Sequence, residues 1–268
     1  MKLIQRATNL PVIGVLAKKL QKMIADRHAK SIASHFSHYL QPCFVNTTEL
    51  ENESFKIRHG VYCDELKFEE PRESGLETDE FDDHAYHCLI QHKSRGTYAG
   101  TVRVIYSSSE DQKLPIEKYC QSAIGNEHLQ PSRFERHRIA EISRLAVPAE
   151  FRRRSVDKHQ GAATGAINMD IYSEQELRCF PFIAVGLYLS ATSLVLQKGI
   201  DHCFVMMEPR LARSLRFVGI PFEQIGPVVD YHGKRAPYHV NPNRIPETLS
   251  PGFKKLLSSI KSEMLKQL

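Results

Sequence analysis

The chain has no tryptophan among its 268 residues, and its six cysteines, Cys43, Cys63, Cys88, Cys120, Cys179 and Cys203, form no C-x-x-C pair. The missing pairs remove the ligand spacing of a structural zinc site and the motif of dithiol redox chemistry. Scattered thiols without a secretory leader fit a reduced, cytoplasmic protein. The opening stretch MKLIQRATNLPVIGVLAKKL lacks both an unbroken apolar core and a small-residue cleavage site, so no signal peptide is expected. Long hydrophobic runs are missing too. The longest, Pro181 to Leu196, carries Ser190, Thr192 and Ser193 and is short for a bilayer, so a buried core helix is expected there. There is no phosphate-cradling glycine loop and no G-x-S-x-G nucleophile elbow. His84, His87, Cys88, Asp82 and Asp83 crowd together, but no second ligand cluster accompanies them, and no metal is expected. A strong excess of one charge is absent: 36 basic against 31 acidic side chains give +5, too little to argue for nucleic acid.

What is present is ordinary for a globular chain, with 41% hydrophobic and 25% charged residues. Residues 1–42 read as a helical N-terminal extension. Lys18, Lys19, Lys22, Arg27 and Lys30 flank an apolar stripe of Leu16, Leu20, Met23 and Ile24. Such a helix either makes peripheral contact with a membrane or packs on its own domain. Residues 43–268 read as one mixed α/β domain. Cys43 to Thr47 suggests a short strand. Thr48 and Glu51 suggest a capping box opening a helix that runs to Leu66. An acidic loop, Lys67 to Asp83, follows. Tyr86–Gln91 and Ala99–Tyr106 alternate around a polar glycine turn and predict an antiparallel hairpin. Arg103 inside the second strand needs a partner, which the acidic loop can supply. Beyond it, helices are expected at Leu114–Leu129, Gly161–Tyr172, Pro181–Lys198, Pro209–Phe217 and Pro251–Leu268. Strands are expected at His202–Met207, Phe222–Val229 and Ala236–Val240. The hairpin argues against a purely parallel sheet.

The most informative stretch is HRIAEISRLAVPAEFRRR, His137 to Arg154. It alternates with period two until Val147-Pro148 stops it, which predicts a strand. Glu141 and Arg144, three apart, fall on opposite faces of a regular strand, and a bulge between them would turn both toward one cleft. Arg58, Asp79, Asp82, Arg103, Glu141 and Arg144 thus form a candidate set of interlocking charges.

These charges sit in recognisable words: R-x-x-V-Y (Arg58 to Tyr62), E-T-D-E-F-D (Glu77 to Asp82), G-T-V-R (Gly100 to Arg103) and E-I-S-R (Glu141 to Arg144). Their order and spacing resemble the acyl-homoserine-lactone synthases, relatives of the GNAT acyltransferases. FKIRHGVYCDELKFEE, MEPRLARSLRFVGI and QIGPVVDYHGKRAPYHV extend a closer resemblance to the PEP-CTERM/exosortase system-associated acyltransferases, which are also similar to N-acyl amino acid synthases. The resemblance covers roughly Phe55 to Val240. It implies a GNAT-like fold for 43–268, with a central mixed splayed sheet flanked by helices and an acyl thioester lying in the splay. Transfer of a fatty acyl group to the amine of a small acceptor is the implied reaction. The co-substrate is either acyl-ACP or acyl-CoA, with no bound cofactor. Glu141 is then the base, with Arg144, Asp79 and Asp82 beside it at the reacting centre. Arg58, Tyr62, Arg103 and Ser143 contact substrate, with Arg103 and Arg144 gripping an acceptor carboxylate. Arg152, Arg153, Arg154 and Lys158 dock an acyl carrier protein or coenzyme A phosphates. Ala191, Leu194 and the strand at Phe204 line an acyl tunnel. The lactone synthases carry a tryptophan near the first motif, in the S-adenosylmethionine region. Its absence here argues for an amino acid or another small amine as acceptor. The alternatives are a lactone synthase and a non-catalytic module that only binds acyl thioesters.

Overall fold

A computed structural model describes residues 33–152 and 182–267. The expected helices over 1–32 and Gly161–Tyr172, together with Arg153, Arg154, Lys158 and Cys179, lie outside the described residues.

A helix over 33–39 leads into strand β1, Leu40–Phe44, whose buried and half-buried positions alternate. Helix α1, Thr48–His59, starts from Thr47, whose hydroxyl accepts from the Leu50 amide at 3.4 Å. Glu49 and Glu51 lie in its first turn, and Lys56, Arg58 and His59 in its last, the order the helix dipole favours. It continues as a π-helical turn, Gly60–Glu65. Strands β2, Ala85–His92, and β3, Tyr98–Tyr106, form the hairpin. Short helix α2, Pro115–Tyr119, precedes β4, Ile139–Ala146. Helix α3 is Ile183–Gln197, β5 is His202–Met207 and α4 is Pro209–Val218. Strands β6, Glu223–Gln224, β7, Val229–Asp230, and β8, Lys234–Val240, are followed by helices α5, Ile245–Thr248, and α6, Pro251–Leu265.

The sheet runs β1-β2-β3-β4-β5-β8-β6, with β7 on β8. Every pairing is antiparallel except β4 with β5, so the sheet is mixed. That parallel pairing lasts only from Ile139↔His202 to Glu141↔Phe204. Beyond it β4 keeps to β3 and β5 keeps to β8, and the two strands part. The sheet is therefore splayed at its centre, immediately past Glu141.

Alternation divides the strand residues between two layers. Val102, Val104, Ala140, Ile142 and Val205 join α3 and α6 in the larger core. Ile105, Ile139 and Phe204 meet Leu114, Ile116 and Ile225 on the opposite face. Residues Ala191 and Leu194 belong to the first core and Phe204 to the second, all fully buried. Cys203 and Val205 of the same strand share the first core with Ala191 and Leu194, while the Phe204 side chain turns to the opposite face.

Several boundaries differ from the sequence reading. The first strand lies three residues earlier than Cys43–Thr47 and straddles position 42. The helix cap is Thr47 rather than Thr48. The helix expected over Leu114–Leu129 stops at Tyr119 and gives way to 3₁₀ turns, because the Gly125 and Asn126 amides both donate to the Ile225 carbonyl. The predicted strand Phe222–Val229 is two short pieces that pair with β8 in turn.

Candidate active site

Arg58 leaves the last turn of α1 fully buried. A buried guanidinium must have all its donors met. Its Nε donates to Glu77 at 2.5 Å, and its two terminal nitrogens donate to Asp82 at 2.7 and 3.1 Å. Arg103, 1% exposed on β3, donates to both oxygens of Asp79 at 2.5 and 3.0 Å and to Asp82 at 2.7 Å. Its Nε donates to the Ser143 hydroxyl at 3.1 Å. Arg144 donates to Glu77, Asp79 and Glu69 at 3.1–3.2 Å. The acidic loop holds its own shape: the Asp79 amide donates to Asp82 and the Phe81 amide to Asp79.

Arg144 reaches this network through a bulge. Between Thr101↔Ala146 and Arg103↔Ser143 the β4 side has one extra residue, and Arg144 adopts φ 49°. A regular strand would turn Arg144 away from Ser143 and Glu141; the bulge re-aims it. Its guanidinium lies 5.5 Å from the centre of the Tyr62 ring, and the Tyr62 hydroxyl donates to the Leu145 carbonyl at 2.8 Å. The π-helical turn thereby braces the bulge.

The charges act on one another. Burial opposes charge on Asp82, Asp79 and Glu77, yet the neighbouring arginines prevail and hold all three below the usual carboxylate range. Burial also works against Arg58, and Asp82 and Glu77 more than restore its charge. The arginines are thus neutralised from within.

Glu141 is different. It is 3% exposed and takes no part in an ion pair with these arginines. Its Oε2 accepts from the Ile116 amide at the start of α2, at 2.7 Å. Burial pushes its pKa up to about 8, although the Ile116 amide and Arg103 pull the other way. It occupies the last paired position before β4 and β5 separate. A carboxyl poised near neutrality at the edge of an opening is suited to exchange a proton with a reacting group.

Of the residues singled out from sequence, the fold brings Arg58, Asp79, Asp82, Arg103, Ser143 and Arg144 into direct contact. Tyr62 sits beneath Arg144, and Glu141 stands two residues along β4 from Ser143. Arg152 is a correction. It is 7% exposed and pairs with Glu65 beside the π-helical turn, so it is not part of an open basic dock. Arg103 and Arg144 correct a second expectation, since Asp79 and its neighbours already hold the guanidiniums meant for an acceptor carboxylate. Glu77 and Glu69 went unselected. The signal for Glu77 was its place two residues before Asp79 in E-T-D-E-F-D, whereas nothing marks Glu69 among its acidic neighbours.

One arrangement looks catalytic but is sealed. His87 lies 3.6 Å from Asp82 and 3.5 Å from the Ser54 hydroxyl, the order of a nucleophile triad. Ser54 is fully buried and hydrogen-bonded to Thr101 at 2.6 Å, and burial with Arg58 pushes the His87 pKa down to about 4. No substrate reaches that hydroxyl. Among the described residues no His/Cys/Asp/Glu cluster forms a metal site.

Residues 57–160 match the family described as the acetyltransferase (GNAT) domain, a span that contains the whole charged network. Fold and domain match together define the class: the chain is a GNAT-like acyltransferase. It is 27% identical over 178 residues to an acyl-homoserine-lactone synthase of Aeromonas hydrophila, covering 66% of this chain and 72% of that protein. Its fold is similar to TofI, solved in a ternary complex with an inhibitor and MTA (TM-score 0.57, 14% identity, 80% of this chain and 96% of that one). It is also similar to FeeM, an N-acyl amino acid synthase from uncultured soil microbes (TM-score 0.51, 13% identity, 78% and 94%). The chain is thus similar in sequence to a lactone synthase and in fold to an N-acyl amino acid synthase.

Proposed function

We propose that the chain is an N-acyltransferase that moves a long fatty acyl group from an acyl-ACP or acyl-CoA thioester to the amine of a small acceptor, an amino acid being the first choice. The observation that carries this reading is Glu141: a buried carboxyl, pKa about 8, at the point where a mixed sheet opens. An ammonium cannot attack a carbonyl. Glu141 takes a proton from the acceptor nitrogen, directly or through water. The nitrogen attacks the thioester carbon, the C–N bond forms, the C–S bond breaks, and the thiol leaves with a proton. Backbone N–H groups freed by the Arg144 bulge stabilise the oxyanion. In this reading Asp79 and Asp82 orient Arg58 and Arg103, and the network keeps the bulge in place.

The donor site draws support from α4, which begins two residues after β5 ends and exposes Arg210, Arg213, Arg216 and Phe217. A basic, partly apolar helix suits an acidic carrier protein. A setting with the PEP-CTERM/exosortase system is part of the proposal on the sequence resemblance alone. No described helix is long and apolar enough to cross a membrane.

The test is incubation with acyl-ACP and acyl-CoA thioesters and the pooled amino acids, with products read by mass spectrometry. Acyl amino acids with matching thioester loss are expected. Neither product nor thioester consumption would sink the reading. A second reading, a lactone synthase, is favoured by the Aeromonas relative. Including S-adenosylmethionine in the pool decides between the two, since only a lactone synthase releases an acylated lactone from it.

A further inference from the structure

With Arg58, Arg103 and Arg144 each held by carboxylates, an acceptor's own carboxylate needs another cation. Arg235 is half-buried on β8, where its backbone pairs with Val229, and its guanidinium has neither a hydrogen bond nor an ion pair among the described residues. It shares the parity of Pro237 and His239, which pair with Met206 and Phe204, so it lies on the sheet face of Glu141 and Ser143. It lies one step past the Met207↔Ala236 pair, where β5 ends, across the opening from the end of β4. The hairpin that presents it is tight. Val229↔Arg235 and Asp230↔Lys234 close a turn in which His232 and Gly233 take positive φ. The guanidinium stands 5.7 Å from the centre of the Phe68 ring, a flat partner that orients a cation without neutralising it. Its charge also acts on the hydroxyls of Tyr62 and Tyr231. Burial raises the Tyr231 pKa to about 12, and Glu141, Arg144 and Arg235 all lie near enough to act on the same hydroxyl.

We infer that Arg235 binds the carboxylate of an α-amino acid acceptor, leaving its amine toward Glu141. This inference rests on the acyltransfer reading and narrows its acceptor class to amino acids with a free carboxylate. Planar bidentate pairing is what guanidinium offers a carboxylate.

The experiment compares wild type with Arg235→Gln and Arg235→Lys, using palmitoyl-CoA and palmitoyl-ACP as donors. The acceptors are the best amino acid from the pool and its carboxamide. The expected result is a KM for the amino acid raised on the order of 10- to 100-fold in Arg235→Gln, with kcat nearly kept and partial rescue in Arg235→Lys. The carboxamide should be used equally by all three proteins. An unchanged KM, or an equal fall on both acceptors, overturns the assignment. Saturation-transfer NMR of the amino-acid pool on the same proteins is the readout without turnover. Binding by wild type that is lost in Arg235→Gln supports the site even if the transfer assay fails. No amino-acid binding by wild type overturns it, whatever the thioester does.

Discussion

A single carboxyl governs the chemistry at the residue scale. Glu141 must lose its proton to act as base, so activity should rise with pH through about 8. Glu141→Gln should lower kcat roughly 10²- to 10⁴-fold and flatten that limb of the pH–rate profile. The same shift makes a stability prediction of opposite sense. The native state keeps a proton that the unfolded chain releases, so stability falls as pH rises from about 4.5 to about 8. Glutamine has no proton to lose. Thermal melts should therefore show Glu141→Gln gaining on wild type at pH 9 relative to pH 5. A gap that stays constant with pH would mean Glu141 ionises normally. Glu141 was legible in the sequence because a carboxylate and an arginine three apart, in the word E-I-S-R, stand out on an alternating strand. Its neighbour Ile116 was not, since a backbone donor leaves no mark in side-chain chemistry.

At the scale of elements, Arg58 is the buried ionic tie between α1 and the acidic loop, beside the hydrogen bonds from the Arg72 amide to His59 and from the Glu77 amide to the Phe55 carbonyl. Arg58→Met would leave Glu77 and Asp82 buried without that partner, at a cost of roughly 3–5 kcal/mol in urea denaturation. An α4 prediction is independent of the site. Gly219 ends that helix at φ 104°, and a β-carbon there would run onto the Thr248 carbonyl oxygen and the Leu249 backbone. Gly219→Ala should cost at least about 1–2 kcal/mol for the left-handed conformation, more with the clash, and leave the KM for the amino acid unchanged. The ends of α3 and α4 were readable because Gly199 and Gly219 stop helices locally. The reach of α2 was not. Its apolar residues suit a helix, but the distant Ile225 carbonyl claims the amides that a continued helix would use.

Across the whole molecule the acidic loop, α1, β3 and β4 are joined by the same ion pairs. Glu77, Asp79 and Asp82 titrate below their unfolded range in the native state. Their contribution is complete above that range, at about pH 4.5, and is lost as pH falls through the depressed values. With the Glu141 contribution removed by Glu141→Gln, melting temperature should hold above about pH 5 and drop steeply below 4, with a shallower drop when Arg58→Met is added, where one source of the depression is gone.

Local pattern alone was enough to specify the hairpin, the alternating run of β4, the core helix and the order of the charged words, because periodicity and turn chemistry act within a few residues. It also marked Arg58, Arg103 and Arg144 as important. That all three are spent on carboxylates was settled by folding. Ion pairing depends on the meeting of Glu77 with Arg144 and Asp79 with Arg103, residues 67 and 24 positions apart, and on a bulge that turns Arg144 toward them. No local signal encodes such a meeting. The same reason leaves the Arg235 guanidinium, inconspicuous in its own segment, without an ion pair among the described residues.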